Sequence, residues 1–429
     1  MELKYQKSDR TGEEMYYGTH SSGLKIYIVP KPDYSGSYAI FGTNYGSVES
    51  DFIVPGETEV THVPDGIAHY LEHKMFDQPD GSNVFDKFAK YGGSANAFTS
   101  FNVTAYLFSA TSNFEENLAT LLDYVQSPYY TDETVGKEQG IIGQEIRMYD
   151  DNPGWQLFFN YIGCLYNSHP VKKEIAGTVE SIAKITPEYL YKCYTTFYNL
   201  SNMALVIVGN VDKDSAMKVI EAGIKNNDPF TEPIGRVHPD EAEPVAKAKS
   251  EKKMAVAAPM FMFGWKDNDV NKSGAELLKK NLEITILLKM LLGKGSEIYK
   301  KLYDAGLINN TFSTDYTMQP DYGFTSIDGE SQNPEAVFEV VMDELDRVRA
   351  EGLSETDFEL AKKVAWGKYI RSHNDIENYA VTFLQLQFMD IDYFNYYDVY
   401  NTVTFEDVKR RFDEHFRREN AALSVIRPL

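Results

Sequence analysis

Cysteine is nearly absent from this 429-residue chain: only Cys164 and Cys193 occur, and neither belongs to a Cys-x-x-Cys pair. That usage excludes a disulfide framework and a thiolate metal site, and it fits a reduced, cytoplasmic setting. Long apolar runs are missing too. A membrane span needs roughly 18 consecutive apolar residues, whereas the longest runs here, around residues 254–265 and 284–292, have the length of a strand or a core helix. No membrane association is therefore expected. The opening MELKYQKSDRTGEE has no apolar core and no small-residue cleavage site, so a secretory signal is not expected either. Positive charge is scarce: 42 Lys and Arg face 64 Asp and Glu, a net charge of −22. Binding phosphates requires a basic footprint, which excludes a nucleic-acid partner. Two local gaps are equally pronounced, with no histidine between His238 and His373 and no arginine between Arg236 and Arg347.

What is present is the composition of a folded protein, 43% apolar with 30 tyrosines, in a chain long enough for more than one core. Residues 24–30 (LKIYIVP) alternate as a strand does, and 37–45 form a β-type run. The polar, Gly/Pro-punctuated stretch 46–63 reads as loop. Asp65 is positioned to cap a helix over 66–76, and Ser82 to cap another over 83–91 that stops at Gly92-Gly93. Strands at 94–100 and 103–110, helices at 114–126, 132–149, 153–166 and 187–198, and a buried strand at 203–208 complete this half.

Four prolines between 228 and 244 mark a linker, which divides the chain into domains 1–227 and 247–429 joined by 228–246. The second half reads as a strand at 254–265, helices at 275–292 and 297–305, and strands near 309–318 and 323–329. Helices at 334–349, 355–372, 376–389 and 405–416 and a strand at 421–426 follow. The halves align without gaps where they end, residues 185–210 over 403–428 at an offset of 218, and again at 112–125 over 332–345 at an offset of 220. The expected fold is α+β: a tandem duplication of two α/β domains, each a mostly antiparallel sheet packed with helices.

The chemistry concentrates in His69-Tyr70-Leu71-Glu72-His73. On a helix, residues i and i+4 share a face about 6 Å apart, so His69 and His73 can grip one metal ion. Glu72 lies at the edge of the same face, close enough to act as a base beside it. A catalytic zinc site usually takes three protein ligands. Glu145 is a candidate for the third, on a helix where Glu138 and Glu145 share a face two turns apart, leaving Glu138 to hold a ligand imidazole. His62, in the expected loop, is a poorer rival.

HYLEH matches the inverted zinc motif H-x-x-E-H. With it go the Glu-x6-Glu at 138 and 145, the segment GGSANAFTSFNVTAYLF at 92–108, MYDDNP after Glu145 and LVIVGNV at 205–211. Together they resemble the pitrilysin/insulinase metallopeptidase family, the inverzincins. The second half, with LLGKGSEIYKKLYDAGLINNTFS, resembles short bacterial members related to the mitochondrial processing peptidase subunits.

The resemblance implies a processing-peptidase-like fold with one Zn2+ per chain. It makes His69, His73 and Glu145 the ligands and Glu72 the general base, with Asn96, Ala97, Phe98 and Thr99 binding peptide by strand addition. The implied activity is zinc-dependent endopeptidase action on extended peptides or unfolded segments, as the catalytic subunit of a dimeric processing peptidase. A non-catalytic assembly subunit, or a maturase in a peptide or elongation factor P modification pathway, are the alternatives. The family completes its site with an Arg and a Tyr from the second-half fold, often on a partner chain. Here Tyr316 and Tyr322 are present and the Arg is absent, which implies a homologous partner subunit, with a homodimer as the other arrangement.

The second half does not repeat the metal chemistry. It has no H-x-x-E-H, and Lys368 stands near the place of Glu145. Gly293-Lys294-Gly295-Ser296 lacks the preceding glycine of a phosphate loop and follows a helix, so a helix-to-helix turn is expected. The aromatic run 393–400 (YFNYYDVY) is expected to pack rather than stack on a nucleobase.

Overall fold

Residues 203–209, MALVIVG, are buried throughout, the pattern of a strand inside a sheet covered on both faces. In the computed structural model, which describes residues 1–225 and 228–429, they lie at the centre of the first of two matching sheets. The expected end of the first domain at residue 227 lies outside the described residues. The first half contains strands β1 (Lys4–Lys7), β2 (Glu14–Thr19), β3 (Lys25–Pro30), β4 (Ser37–Thr43), β5 (Asp51–Ile53) and β6 (Thr61–His62). Helices α1 (Ile67–Lys74) and α2 (Val84–Lys90) precede β7 (Ser94–Thr99) and β8 (Thr104–Ala110). Helices α3 (Phe114–Val125), α4 (Asp132–Asp150), α5 (Pro153–Leu165), α6 (Val179–Ile182) and α7 (Pro187–Phe197) lead to β9 (Met203–Gly209), α8 (Lys213–Gly223) and β10 (Gly235–Arg236).

The second half contains β11 (Lys249–Met254), β12 (Met260–Trp265), α9 (Gly274–Leu292), α10 (Glu297–Asp304), β13 (Ser313–Met318) and β14 (Gly323–Glu330). Helices α11 (Pro334–Glu351), α12 (Glu355–Ser372), α13 (Ile376–Phe388), α14 (Tyr396–Thr402) and α15 (Phe405–His415) end at β15 (Ala421–Pro428).

The duplication is visible in the strand order. The first large sheet runs β1-β2-β3-β9-β4-β8-β7 and the second β11-β15-β12-β14-β13. Five strands correspond one to one, and in each sheet the pair at the corresponding place, β3 with β9 and β11 with β15, is parallel while its neighbours are antiparallel. The architecture is the α+β duplication that the sequence implies. No helix among the described residues is long and apolar enough to cross a membrane.

The chain forms two compact units that are not contiguous in sequence. One comprises 1–146, 173–238 and 372–388, the other 147–172, 239–371 and 389–429. A single cut between 1–227 and 247–429 does not describe this, because each half lends a helix to the other half's sheet. Helix α13 packs on β4 and β9, and α5 packs on β12 and β15. Each loaned helix packs against a glycine at the next-to-last position of the strand beneath. A Cβ on Gly42 would lie 2.5 Å from Leu384 Cδ2, and one on Gly264 would lie 2.6 Å from the Tyr161 hydroxyl, closer than packed atoms approach. Through α13 the first unit buries Tyr379, Phe383 and Leu384 completely. At about 1.5–3 kcal/mol per fully buried large apolar side chain, the loan contributes several kcal/mol.

Local reading errs where pairing is non-local. The stretch 46–63 holds β5 and β6, which pair with each other, and β5 pairs on its other side with β10 from 235–236, a partner invisible from nearby residues. Asp65 does not cap α1. Gly66 starts that helix with φ 89°, and the Asp65 carboxylate accepts from Ser50 Oγ at 2.9 Å and Lys173 Nζ at 2.8 Å. Asn83, not Ser82, caps α2, accepting from the Phe85 N–H at 2.9 Å. Of the expected strand at 254–265, only Met260–Trp265 forms β12; Met254 ends a separate strand, β11, and the two flank β15 on either side. The proline-rich linker is anchored rather than loose. Arg236 pairs with the buried Glu49, and Glu241 accepts the backbone N–H groups of Asn167, Ser168 and His169 at 2.8, 2.7 and 2.7 Å.

Candidate metal centre

Helix α1 is short and almost wholly buried, with His69 and Glu72 each 8% exposed. Tyr70 donates its hydroxyl to the Val135 carbonyl of α4, which fixes the two helices against each other. The histidine rings stand 4.6 Å apart, centre to centre. From α4, Glu145 presents Oε1 to His69 Nε2 at 3.6 Å and Oε2 to His73 Nε2 at 3.4 Å. One turn-pair back, Glu138 Oε1 lies 2.9 Å from His73 Nδ1. The structure therefore brings His69, His73, Glu145 and Glu138 together. His62 lies elsewhere, exposed and paired with Asp51 at 2.6 Å.

The ligand atoms of His69, His73 and Glu145 all lie within 4.8 Å of one another. Separations of 3.4 and 3.6 Å are long for direct hydrogen bonds. They match ligands around a tetrahedral ion, which bonds of about 2.0–2.1 Å set roughly 3.4 Å apart. Two imidazoles and one carboxylate also form the donor set that a catalytic zinc takes when one position stays open. The geometry fits a divalent ion.

Glu72, next to His73 on α1, also reaches the edge strand β7. Its Oε2 accepts a hydrogen bond from Thr99 Oγ1 at 2.6 Å, and Thr99 faces Thr104 across the β7–β8 ladder. Thr99 was legible only as part of a peptide-binding strand. Its contact with Glu72 follows from the packing of α1 on β7, for which the local sequence carries no signal. Strand β7 is the last of its sheet, hydrogen-bonded to β8 on one side only. Beside it a cavity of about 550 Å³ is lined by Glu72, His73, Phe76, Asn96, Ala97 and Glu138. Asn96 is exposed, while Ala97, Phe98 and Thr99 are half-buried.

Burial sets the electrostatics. It raises the pKa of Glu72, an effect that the Thr99 hydrogen bond and the His73 charge only partly offset. His69 is pushed down to about 4, first by burial and then by the charge of His73. Burial also works against a charged His73, but the Glu138 hydrogen bond and the surrounding carboxylates outweigh it, and its pKa is raised.

Tyr316 and Tyr322, the second-half tyrosines, are both buried, at 8% and 1% exposure. The Tyr316 hydroxyl donates to Asp267 Oδ2 at 2.5 Å, so it serves the interior of its own unit.

Comparison with known proteins gives consistent matches. A family model described as insulinase (peptidase family M16) matches residues 56–179, and one described as the peptidase M16 inactive domain matches 184–364. The uncharacterized zinc protease YmfH of Bacillus subtilis strain 168 is 44% identical over 428 residues, covering 99% of each chain. An M16-like peptidase from Alicyclobacillus acidocaldarius superposes with a TM-score of 0.93 at 37% identity, over 97% of this chain and 99% of that one. Pitrilysin, at 17% identity and a TM-score of 0.77, shares the fold over 100% of this chain and 47% of its own.

Proposed function

Because the chain belongs to the pitrilysin/insulinase family of zinc metallopeptidases, peptidase family M16, we propose that it is a zinc-dependent endopeptidase acting on extended peptides or unfolded segments. The observation that carries this reading is the convergence of His69, His73 and Glu145 within 4.8 Å, with the Glu72 carboxylate held beside them. His69, His73 and Glu145 would hold one Zn2+, and Glu138, accepting from His73 Nδ1–H, fixes the tautomer that leaves Nε2 free to bind. When bound, zinc supplies a Lewis acid that activates water and polarises a carbonyl.

The remaining steps belong to the protein. Thr99 holds Oε2 of Glu72 and leaves Oε1 to take a proton from the attacking water and pass it to the leaving amine. A carboxyl whose pKa is raised by burial is better matched to that exchange near neutral pH than an exposed one. The open edge of β7, from Asn96 to Thr99, offers backbone donors and acceptors to an extended peptide, which grips main chain and tolerates varied side chains.

The absence of arginine between Arg236 and Arg347 and the internal engagement of Tyr316 support a catalytic subunit that works with a homologous partner carrying the Arg/Tyr pair. The retention of all four site residues, already assembled, favours catalysis over a scaffold role. The test is metal content with peptide hydrolysis. Wild-type protein should carry about one zinc per chain, and Glu72→Gln should keep the zinc while losing roughly 10²–10⁴-fold in rate. A folded protein that takes up no zinc would refute the reading. Full activity as a homodimer would refute the partner.

A further inference from the structure

The two halves place different chemistry at one position of their shared fold. Tyr45 is the second residue after β4, Phe197 is the last of α7, and Cys193 stands one turn before it. All three are fully buried, and the rings of Tyr45 and Phe197 stack 3.9 Å apart. In the second half, the second residue after β12 is Asp267, the last of α15 is His415, and Arg411 stands one turn before it. Strand register agrees with the match. Tyr38 pairs with Val208 and Met260 with Ile426, and at the offset of 218 Val208, Phe197 and Cys193 lie over Ile426, His415 and Arg411.

Asp267, Arg411 and His415 are nonetheless buried, at 4, 5 and 3% exposure. Taking ionisable groups out of water is costly, and the first half fills the same place with a ring pair and a thiol. Around these groups the second half opens a cavity of about 860 Å³, between residues 266–272, α9 and α15. Cationic and acidic side chains line it in equal numbers, seven of each, and its one apolar lining residue is Pro244. Such walls favour neither a net cation nor a net anion, and they suit a polar ligand.

Most of these charges are spent on one another. Lys280 pairs with Asp267 at 2.8 Å. Arg411 Nη1 donates to Asp269 Oδ2 at 2.8 Å, and its Nε donates to Glu283 Oε2 at 3.0 Å. Three atoms keep unused capacity among the described residues. Arg411 Nη2 makes no hydrogen bond, Glu283 Oε1 only approaches Arg410 Nη2 at 3.7 Å, and the buried Nδ1 of His415 has no hydrogen-bond partner. The first two belong to one ion pair, so a positively charged donor and a negatively charged acceptor stand side by side in the wall. A ligand carrying both charges complements them.

We propose that this cavity binds the zwitterion of a free α-amino acid, its carboxylate on Arg411 Nη2 and its ammonium on Glu283 Oε1. His415 Nδ1, one turn from Arg411, is left for a polar group of the ligand. Neither zinc nor cleavage enters this site.

The test is isothermal titration calorimetry on full-length protein stripped of metal, which removes chelation of the amino acid as a source of heat. The ligands are glutamine, N-acetylglutamine and glutaminamide, which share a polar side chain, and only the first carries both charges. Because each blocked form loses a hydrogen bond between charged groups, glutamine should bind at least about tenfold tighter than either. Arg411→Lys keeps a cation beside Glu283 and removes Nη2, so it should cancel that preference while circular dichroism shows an unchanged fold. If that variant does not fold, the three ligands on the wild-type protein decide alone. Equal affinity for either blocked form, a preference that survives in Arg411→Lys, or no heat from glutamine at about 10 mM would each overturn the proposal. Because the measurement needs no catalysis, a peptidase that binds no glutamine leaves the metal centre standing, and glutamine binding by an inactive protein leaves this site standing.

Discussion

Glu72 and Thr99 are joined by a 2.6 Å hydrogen bond that ties helix α1 to the edge strand β7. The group proposed to move the proton is thus positioned by the strand proposed to hold the peptide. Thr99→Val keeps the side-chain shape and removes the donor. Hydrogen bonds to charged groups contribute about 1.5–3 kcal/mol, so kcat should fall roughly 10–100-fold with zinc content unchanged. Thr99→Ser should restore most of it. A quenched-fluorescence peptide assay alongside elemental analysis measures both.

Glu138 touches the centre only through His73 Nδ1, at 2.9 Å. Losing a carboxylate partner of a metal-binding imidazole typically weakens metal binding about 10–100-fold. Glu138→Gln should therefore release zinc to a competing chelator at correspondingly lower chelator concentration, while its fold stays intact by circular dichroism.

The loan of α13 depends on Gly42, where a Cβ would press on Leu384 at 2.5 Å. Gly42→Val overpacks that crossing and should cost about 1–3 kcal/mol or more. Leu384→Ala, which opens a cavity at the same place, should cost about 2–5 kcal/mol. Urea denaturation followed by circular dichroism reports both.

Acid should destabilise the second unit through His415. This histidine is buried, its Nδ1 has no hydrogen-bond partner, and its pKa is pushed down to about 4 by burial. An unfolded histidine titrates near 6.5, so between these values the unfolded chain binds the proton and the folded one does not. The stability that the neutral ring permits is complete above about pH 6.5 and is lost as pH falls toward 4, by up to about 3 kcal/mol. His415→Gln should flatten this part of the pH profile of unfolding.

The clustering of the candidate site was legible because its signal is local: His69 and His73 share a helix face through their spacing alone, and Glu138 and Glu145 do the same on α4. The duplication was legible through two ungapped matches, and the strand order repeats it. What escaped was set by contacts between distant residues. Asp65 looks like a helix cap but spends its carboxylate on Ser50 and Lys173. Strand β5 lies between β6 and β10, and β10 is far along the chain. Thr99 reads as one residue of an alternating strand until α1 packs on it. The helix loans escaped for the same reason, because α5 and α13 have ordinary helical sequences and their partners lie in the other half.

Those loans set a timetable for synthesis. Every strand of the first unit has been made once residue 236 is added, yet the helix that covers β4 and β9 ends at Phe388. At about 5–20 residues per second, the ribosome takes roughly 8–30 s to cross that interval. Throughout it the nascent chain carries His69, Glu72, His73 and Glu145 on helices α1 and α4, while β4 and β9 lack the helix that packs on them. Helix α5 meanwhile waits for strands not yet translated. A chain released at the linker would hold every residue of the candidate metal centre and lack the helix that covers β4 and β9.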